Sequence, residues 1–405
     1  MAAEVLAARG CRVTVYEQMG SVGRKFLLAG RSGLNLTHSE PTAQLLSRYS
    51  CTSNVLAAAI DRFDQTEVRR WASNLGEDTF VGSSGRVFVG SWRAAPILRA
   101  WIRHLDALGV TFRLRHRWIG WDAPPHSGAP GVRPVLERRN ADGSTERATP
   151  VVDAVVLALG GASWPRTGSD GHWAPTLSGL GIDVSPFEPS NAAAMIGWSD
   201  HFRQRFEGTP LKNIAVTCGP DTIRGDAMVT RDGLEGTPVY ALSRSIRNAH
   251  RDAGTARIEI DLRPDSSHDA LERRLAMRTR GESTSSWLRR CGGIDPVAIG
   301  IIRESTGNAL PTTPHGMTAL LKRAVLSVDS LAGLDRSISS AGGLSMSELD
   351  EHSMLRRLPG VFVAGEMLDW DAPTGGYLLQ ASLSTAVAAA DGAYRWLGAE
   401  EGASG

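Results

Sequence analysis

Apolar and polar positions change period several times along the chain, and each change marks an element. Residues 1–9 (MAAEVLAAR) are helix formers, Gly10 suits the residue after a helix end, and residues 12–17 (RVTVYE) alternate around Val13 and Val15 as a strand closed by Glu17. Between Asp64 and Gly76 the spacing of Val68, Trp71, Ala72 and Leu75 predicts an amphipathic helix with Trp71 in the core. A short strand follows over 86–89, then a helix over 94–108 stopped by Gly109, then strands over 110–121 and 132–139 with a turn at 140–143. Pro186 and Pro189 mark a boundary, after which residues 191–261 alternate short apolar runs with Gly/Pro turns. Helical spacing returns over 269–277, 284–290, 296–304 and 317–326.

The most informative stretch is 360–394. Val361, Phe362, Val363 and Ala364 form an apolar run bounded by glycines, as in a parallel strand buried on both faces. Gly365 stops it. Gly375 and Gly376 then open a segment in which Leu379, Leu383, Val387 and Ala390 recur at helical spacing. A helix starting there points its free N–H groups back at the strand end, beside glycines that permit close approach, which suits a polar, electron-rich ligand edge. Glu366 and Asp369 stand where they can accept from hydroxyls. An ordinary strand-loop-helix connection with solvated acids has the same pattern, so the stretch taken singly leaves both readings open.

Composition narrows the class. Lys and Arg number 44 against 43 Asp and Glu, so no global field favours nucleic acid or an anionic membrane. The 44 glycines and 20 prolines are well spread, which favours a turn-rich, enzyme-like architecture over a bundle or a disordered chain. Cys11, Cys51, Cys218 and Cys291 stand far apart without a CxxC, so neither a metal site nor a disulfide framework is expected. Apolar runs fall short of the roughly 20 residues of a membrane helix, and a cytoplasmic protein without membrane contact is expected.

The start of the chain reads as the second half of a βαβ unit. In a dinucleotide-binding fold the acid closing the second strand lies about 20 residues after the first glycine of the phosphate loop and bonds a ribose hydroxyl. Counting back from Glu17 falls before Met1, so strand one and its GxGxxG loop are expected to be missing from this sequence. Residues 21–39 then interleave Gly23, Gly30 and Gly33 with Arg24, Lys25 and Arg31, a composition that serves either phosphate neutralisation or a solvated basic loop.

These segments, VYEQ with GRKFLLAGRSGLNLTHSE, VDAVVLALGG with ASWPRTGSD, TRDGLEGTPVYALS, SAGGL and GEMLDWDAPTGGYLLQ, occur in an order that resembles the aminoacetone-oxidase-like FAD flavoproteins, which include bile-acid enone reductases. The similarity runs over nearly the whole chain, and the last segment is its most specific part. The chain departs from the pattern at 30–35, GRSGLN, where many members carry a glycine run before Arg-Cys-Asn.

The resemblance implies an α/β architecture: a glutathione-reductase-like, Rossmann-like FAD-binding domain over 1–186 and 337–398, an inserted β-rich domain over 187–264 and a helical subdomain over 265–336. It implies that Glu17 takes the adenosine ribose and that Arg24 and Lys25 lie near the phosphates or the flavin. Gly160 and Gly161 let a strand end pass close to the cofactor, Gly365 and Glu366, with Asp369 nearby, meet its ribityl-pyrophosphate part, and Gly375, Gly376 and Tyr377 face the flavin pyrimidine edge. NAD(P)H use stays open, since no second GxGxxG is present.

No Ser/His/Asp or Cys/His spacing supports nucleophilic catalysis, and the ten histidines are scattered, His172 and His315 among Gly and Pro without an assigned role. Tyr377 suits either a proton donor to substrate or a structural hydrogen bond. The expected function is an FAD-dependent oxidoreductase acting on a small amine or ketone, or on a conjugated enone. Two alternatives stand beside it: a flavoprotein assisting tRNA modification, against which the balanced charge argues, and a cofactor-free product of a misplaced start codon.

Overall fold

The computed structural model describes residues 1–28, 33–51, 53–123, 131–140 and 142–398. Gly30 and Arg31 of the basic segment lie outside the described residues. Two compact units emerge, one from residues 1–188 with 340–405 and one from residues 189–339.

In the first unit, α1 (Ala2–Ala8) ends one residue before Arg9, and Gly10 takes φ +85° as the helix stop requires. Strand β1 (Thr14–Glu17) follows, then α2 (Arg24–Leu28) and β2 (Asn35–His38). Helix α3 (Asn54–Arg62) precedes α4 (Gln65–Asn74), whose first turn is capped by Asp64 accepting from the Thr66 and Glu67 amides. As the periodicity predicts, Val68, Trp71 and Ala72 of α4 are buried. Strand β4 (Arg86–Val89) pairs on either side with β2 and with β3 (Thr79–Val81) in one antiparallel sheet before α5 (Ala94–Ala107).

The single strand expected over 110–121 is two. Arg115 at φ +59° breaks it into β5 (Thr111–Leu114), which pairs in parallel with β1, and β6 (His116–Trp121), which starts an antiparallel meander with β7 (Pro134–Arg139) and β8 (Thr145–Ala148). A turn through one left-handed residue changes partner without disturbing the apolar alternation, so the pattern could not reveal it. The chain then forms β9 (Val155–Leu157).

The second unit is built on one seven-stranded antiparallel sheet. Its strands are β10 (Ala194–Met195), β11 (Pro210–Cys218), β12 (Asp221–Thr230), β13 (Gly233–Gly236), β14 (Ala256–Asp261), β15 (Ala324–Val328) and β16 (Ser330–Leu331), in the spatial order β15-β14-β11-β12-β13-β10-β16. Helices α6 (Asp200–Phe206) and α7 (Ser243–Ala253) interrupt the stretch read as all strand. Further along lie α8 (His268–Leu275), α9 (Pro296–Thr306) and α10 (Pro314–Lys322). The β-rich and helical stretches expected as two bodies share one core, in which Val216, Ile258 and Ile260 from the sheet meet Leu271, Trp287, Ile301 and Leu321 from the helices. The helix expected over 317–326 stops at Lys322, and the last residues of that range enter β15, the edge strand beside β14.

Back in the first unit, β17 (Val361–Val363) is fully buried and pairs in parallel with β9, Val361 opposite Val155 and Val363 opposite Leu157. The parallel core is thus carried by two short pairs, β1 with β5 and β9 with β17. The long α11 (Tyr377–Trp396) packs on the β9–β17 pair through Ala389 and Ala393, which meet Phe362 and Val156, while its Leu383 joins the core formed with Leu36 of β2 and Trp71 of α4. Asp391 of α11 is held by Arg9 at 2.6 Å and by Arg62, tying the helix to α1 and α3. All four cysteines are free thiols. Among the described residues no helix is long and apolar enough to cross a membrane.

Candidate functional site

The carboxyl ends of β9 and β17 lie side by side, because parallel pairing puts the turns that follow them at the same edge. After β9 the chain makes the Gly160-Gly161 turn, with Gly160 at φ +75°. A side chain at Gly161 would collide with the Ser340 hydroxyl and come within 3.2 Å of the Glu366 carboxyl, so only hydrogen fits there. After β17 the backbone turns at Gly365, φ +83°, whose amide donates to Thr385 Oγ1 of α11 at 3.0 Å.

Lys25 of α2 reaches this edge and is the hub of a polar cluster. Its ammonium forms an ion pair with Glu366 and donates to Ser163 Oγ at 2.8 Å and Ser169 Oγ at 3.1 Å. Glu366 also accepts the Ser340 amide at 3.3 Å, and Ser340 Oγ accepts the Ala162 amide at 3.0 Å. Ser163, Ser169 and Ser340 are all buried. Between the first two serines Trp164 sits in the left-handed region at φ +59°, a conformation that costs a non-glycine residue on the order of 1 kcal/mol and is held because Pro165 and the Thr167 hydroxyl lock the turn. Lys25, Gly160, Gly161 and Glu366, expected from sequence to serve one ligand, therefore meet.

A second group forms around the start of α11. Gly375 and Gly376 take φ +132° and +98°, and among the described residues no side chain caps the helix, so its first-turn N–H groups can serve a ligand at the positive end of the helix dipole. Tyr377 is buried, with its hydroxyl donating to Glu40 Oε1 at 2.7 Å and its ring stacked on His38 at 5.4 Å. Glu40 in turn accepts from Arg48 at 3.2 and 2.9 Å, and the Tyr49 hydroxyl donates to the Tyr377 carbonyl at 2.8 Å. Burial works to raise the Glu40 pKa, but the hydrogen bonds from Arg48 and Tyr377 outweigh it and leave the carboxyl below its ordinary range. Burial and the Glu40 carboxylate push the Tyr377 phenol well above its ordinary pKa, so it stays protonated and committed to Glu40.

Changing Tyr377 to phenylalanine should therefore lower stability by about 1.5–3 kcal/mol at neutral pH, the usual cost of one charge-assisted hydrogen bond. Because the Glu40 pKa is lowered by folding, the stability it contributes is complete above the ordinary carboxylate value and is lost as pH falls toward the folded one. The melting-temperature gap between wild type and Tyr377→Phe should accordingly be widest near neutrality and close in acid; a gap that widens in acid contradicts the assignment.

The remaining expected residues are placed elsewhere. Glu17 ends β1 with its carboxylate accepting the Met19 amide at 2.8 Å; burial, the largest influence, lifts its pKa, opposed by that amide and by the nearby Arg24 charge. Arg24, one residue from Lys25, thus lies near enough to Glu17 for its charge to act on that carboxylate. Asp369 accepts the Ser185 hydroxyl at 2.7 Å and is not among the partners of Lys25. Sequence reasoning did not single out Ser163, Ser169, Ser340, Glu40 or Arg48. The serines sit inside the ASWPRTGSD and SAGGL segments, whose place in the ordered set of motifs was the available signal. Nothing local marks Arg48.

These features fit a large planar cofactor with a phosphate bridge. Beside Gly365 none of the described residues lies within 4 Å of where a side chain would project, so among them the backbone borders open space at the strand ends. Uncapped helix donors and a cation in a cradle of buried serines supply the complementary chemistry. A separate cavity of about 720 Å3 lies wholly in the second unit, among Phe202, Arg205, Arg289 and Arg303, and none of the residues expected to hold the cofactor lines it.

The chain is similar to several known proteins. The model of the HI0933-like protein Rossmann domain matches residues 1–392. The 3-dehydro-bile acid delta(4,6)-reductase of Clostridium scindens is 24% identical, over 95% of this chain and 93% of that protein. The ribosomal RNA dihydrouridine synthase of Escherichia coli is also 24% identical, over 94% and 92%. Among solved structures, the 3-ketosteroid-delta4-(5alpha)-dehydrogenase of Rhodococcus jostii is similar with a TM-score of 0.47 and 15% identity, over 98% of this chain and 94% of that one.

Proposed function

The chain belongs to the HI0933-like Rossmann-domain family, and from that premise we propose that it is an FAD-dependent oxidoreductase that reduces a carbon–carbon double bond conjugated to a carbonyl group. The observation that carries this reading is the meeting of Lys25, Glu366 and the Gly160-Gly161 turn at the ends of β9 and β17. FAD supplies the hydride chemistry, which no side chain can provide.

The protein's part is binding and electrostatics. Lys25 offers the charge and the buried serines fix where it sits. Gly160, Gly161 and Gly365 let the backbone approach a ligand, while the start of α11 presents N–H donors where negative charge on a ring edge would be stabilised. Tyr377 holds that helix start in place through Glu40 rather than serving as a proton donor.

The enone class is favoured because the names of the curated relatives describe saturation of a double bond conjugated to a carbonyl, in a 3-dehydro-bile acid and in uridine. A small-molecule enone is the leading substrate. Uridine in RNA is the second reading, favoured by the ribosomal RNA dihydrouridine synthases among the relatives.

The protein purified as expressed should show a flavin chromophore, released on denaturation as FAD. Its photoreduced form should be reoxidised under anaerobic conditions by a conjugated 3-ketosteroid, with formation of the saturated ketone. Purification without flavin sinks the proposal, whereas flavin with reoxidation by RNA alone selects the second reading.

A further inference from the structure

We propose that His268, Glu272 and His315 form a binding site for one divalent transition cation of the zinc type. His268 and Glu272 stand one turn apart on α8, so both project from the same helix face. His315 comes from the first turn of α10. One ligand atom from each of the three lies within 4.8 Å of the others.

The spacing is the argument. His268 Nδ1 and His315 Nδ1 lie 3.5 and 3.2 Å from the same oxygen, Glu272 Oε2. For bonds of about 2.0–2.1 Å to a tetrahedral ion, neighbouring ligand atoms are roughly 3.3–3.4 Å apart. The two separations to Glu272 bracket that edge, and the two imidazoles lie within 4.8 Å of each other, so an ion fits once the imidazoles close toward it. Two imidazoles and one carboxylate suit zinc and its neighbours rather than magnesium or calcium, which prefer oxygen ligands.

The scaffold is rigid. Leu271 and Leu275 of α8 and Met317 and Leu321 of α10 are completely buried in one core, which fixes the two helices and hence the three ligands. Ser267 and Thr313 cap the two helix starts, accepting from the Ala270 and Gly316 amides, so the turns bearing the histidines are well defined. The histidines are partly exposed, leaving the fourth position to water and the site open to exchange. A bound ion would join two helices 43 residues apart in sequence.

The spacing of residues along the chain gave no hint of this site, because the third ligand is distant and the chain contains no compact His/Cys motif. Without an ion the same contacts are two imidazoles sharing one carboxylate oxygen, and the experiment separates the two cases. The full-length flavin-loaded protein is titrated calorimetrically with zinc, alone and in millimolar magnesium. One equivalent should bind in the micromolar range, unaffected by magnesium, and the melting temperature should rise at saturation. His315→Ala and Glu272→Gln should each weaken that binding at least about tenfold and abolish the thermal shift. His172→Ala, which removes an unrelated surface histidine, should leave both unchanged, and circular dichroism confirms that the variants are folded. Failure to bind zinc below about 100 μM free ion overturns the proposal. So does binding that survives His315→Ala, which would place the ion elsewhere, or binding that magnesium displaces.

Discussion

Replacing Gly376 with alanine is expected to cost about 3 kcal/mol of stability and to leave the purified protein without flavin. Two independent penalties add. The residue takes φ +98°, where a side chain costs about 1–2 kcal/mol. The added carbon would also lie 2.5 Å from the backbone Cα, carbonyl carbon and oxygen of Thr37 in β2. That neighbour is main chain in a fully buried residue, and it is anchored: Thr37 Oγ1 donates to Gln380 Oε1 at 2.5 Å, while Gln380 Nε2 donates to the Phe63 carbonyl at 2.7 Å. Relief would have to come from shifting β2 or the start of α11, at the overpacking cost of about 1–3 kcal/mol. Gly365→Ala supplies the contrast. It has a similar φ of +83° but none of the described residues within 4 Å, so it should lose only about 1 kcal/mol while its methyl group enters the space left for the cofactor. Urea unfolding and the flavin-to-protein absorbance ratio, measured on both variants, separate the effects. A Gly376→Ala protein with wild-type stability and full flavin would show that this helix start is neither tight nor part of the site.

Why Gly376 could be singled out from sequence, and Thr37 could not, shows where legibility ends. The paired glycines ahead of an amphipathic run announce a helix start reached through a backbone other residues avoid, and that signal is local. The same holds for α1, β1, α4, β4, α5 and β17, each marked by its own periodicity and stop residue. What lay beyond reach depends on partners distant in sequence. Lys25 finds Glu366 across 341 residues, and Tyr377 finds Glu40 across 337. Nothing in the basic segment 21–39 distinguishes the cation that enters the cluster from Arg24, whose charge acts on Glu17 instead. Asp369 shows the converse, an acid well placed in sequence whose carboxylate is taken by Ser185.

Fold-level differences have the same origin. Arg115 divides one apolar alternation between two sheets, because the pattern records which face is buried and not which strand is the neighbour. In the second unit, α8, α9 and α10 were legible as helices. Their membership of the body formed by the preceding strands was not, since a shared core is a property of packing.

The ion pair across those 341 residues yields the second large effect. Lys25→Met should destabilise the protein by about 3 kcal/mol and lower flavin retention, because Glu366, with its side chain only 13% exposed, would keep its charge with the Ser340 amide as a remaining partner. The estimate is taken at the low end of the range for a broken buried pair, since Lys25 is 29% exposed and water can partly replace it. Glu366→Gln removes the other charge and should cost less, because the ammonium keeps its bonds to Ser163 and Ser169. Combining the two leaves no unpaired charge, so the double variant should recover much of the stability lost in Lys25→Met. Flavin retention should not recover with it, because the cation offered to the cofactor is still missing. Urea unfolding of the four proteins gives the coupling energy, and FAD titration of the refolded apoproteins gives the binding. A coupling near zero would make the pair a screened contact of no structural weight. Recovery of FAD binding in the double variant would remove Lys25 from the site, leaving the glycine turns and the start of α11 to hold the cofactor without a charge from α2.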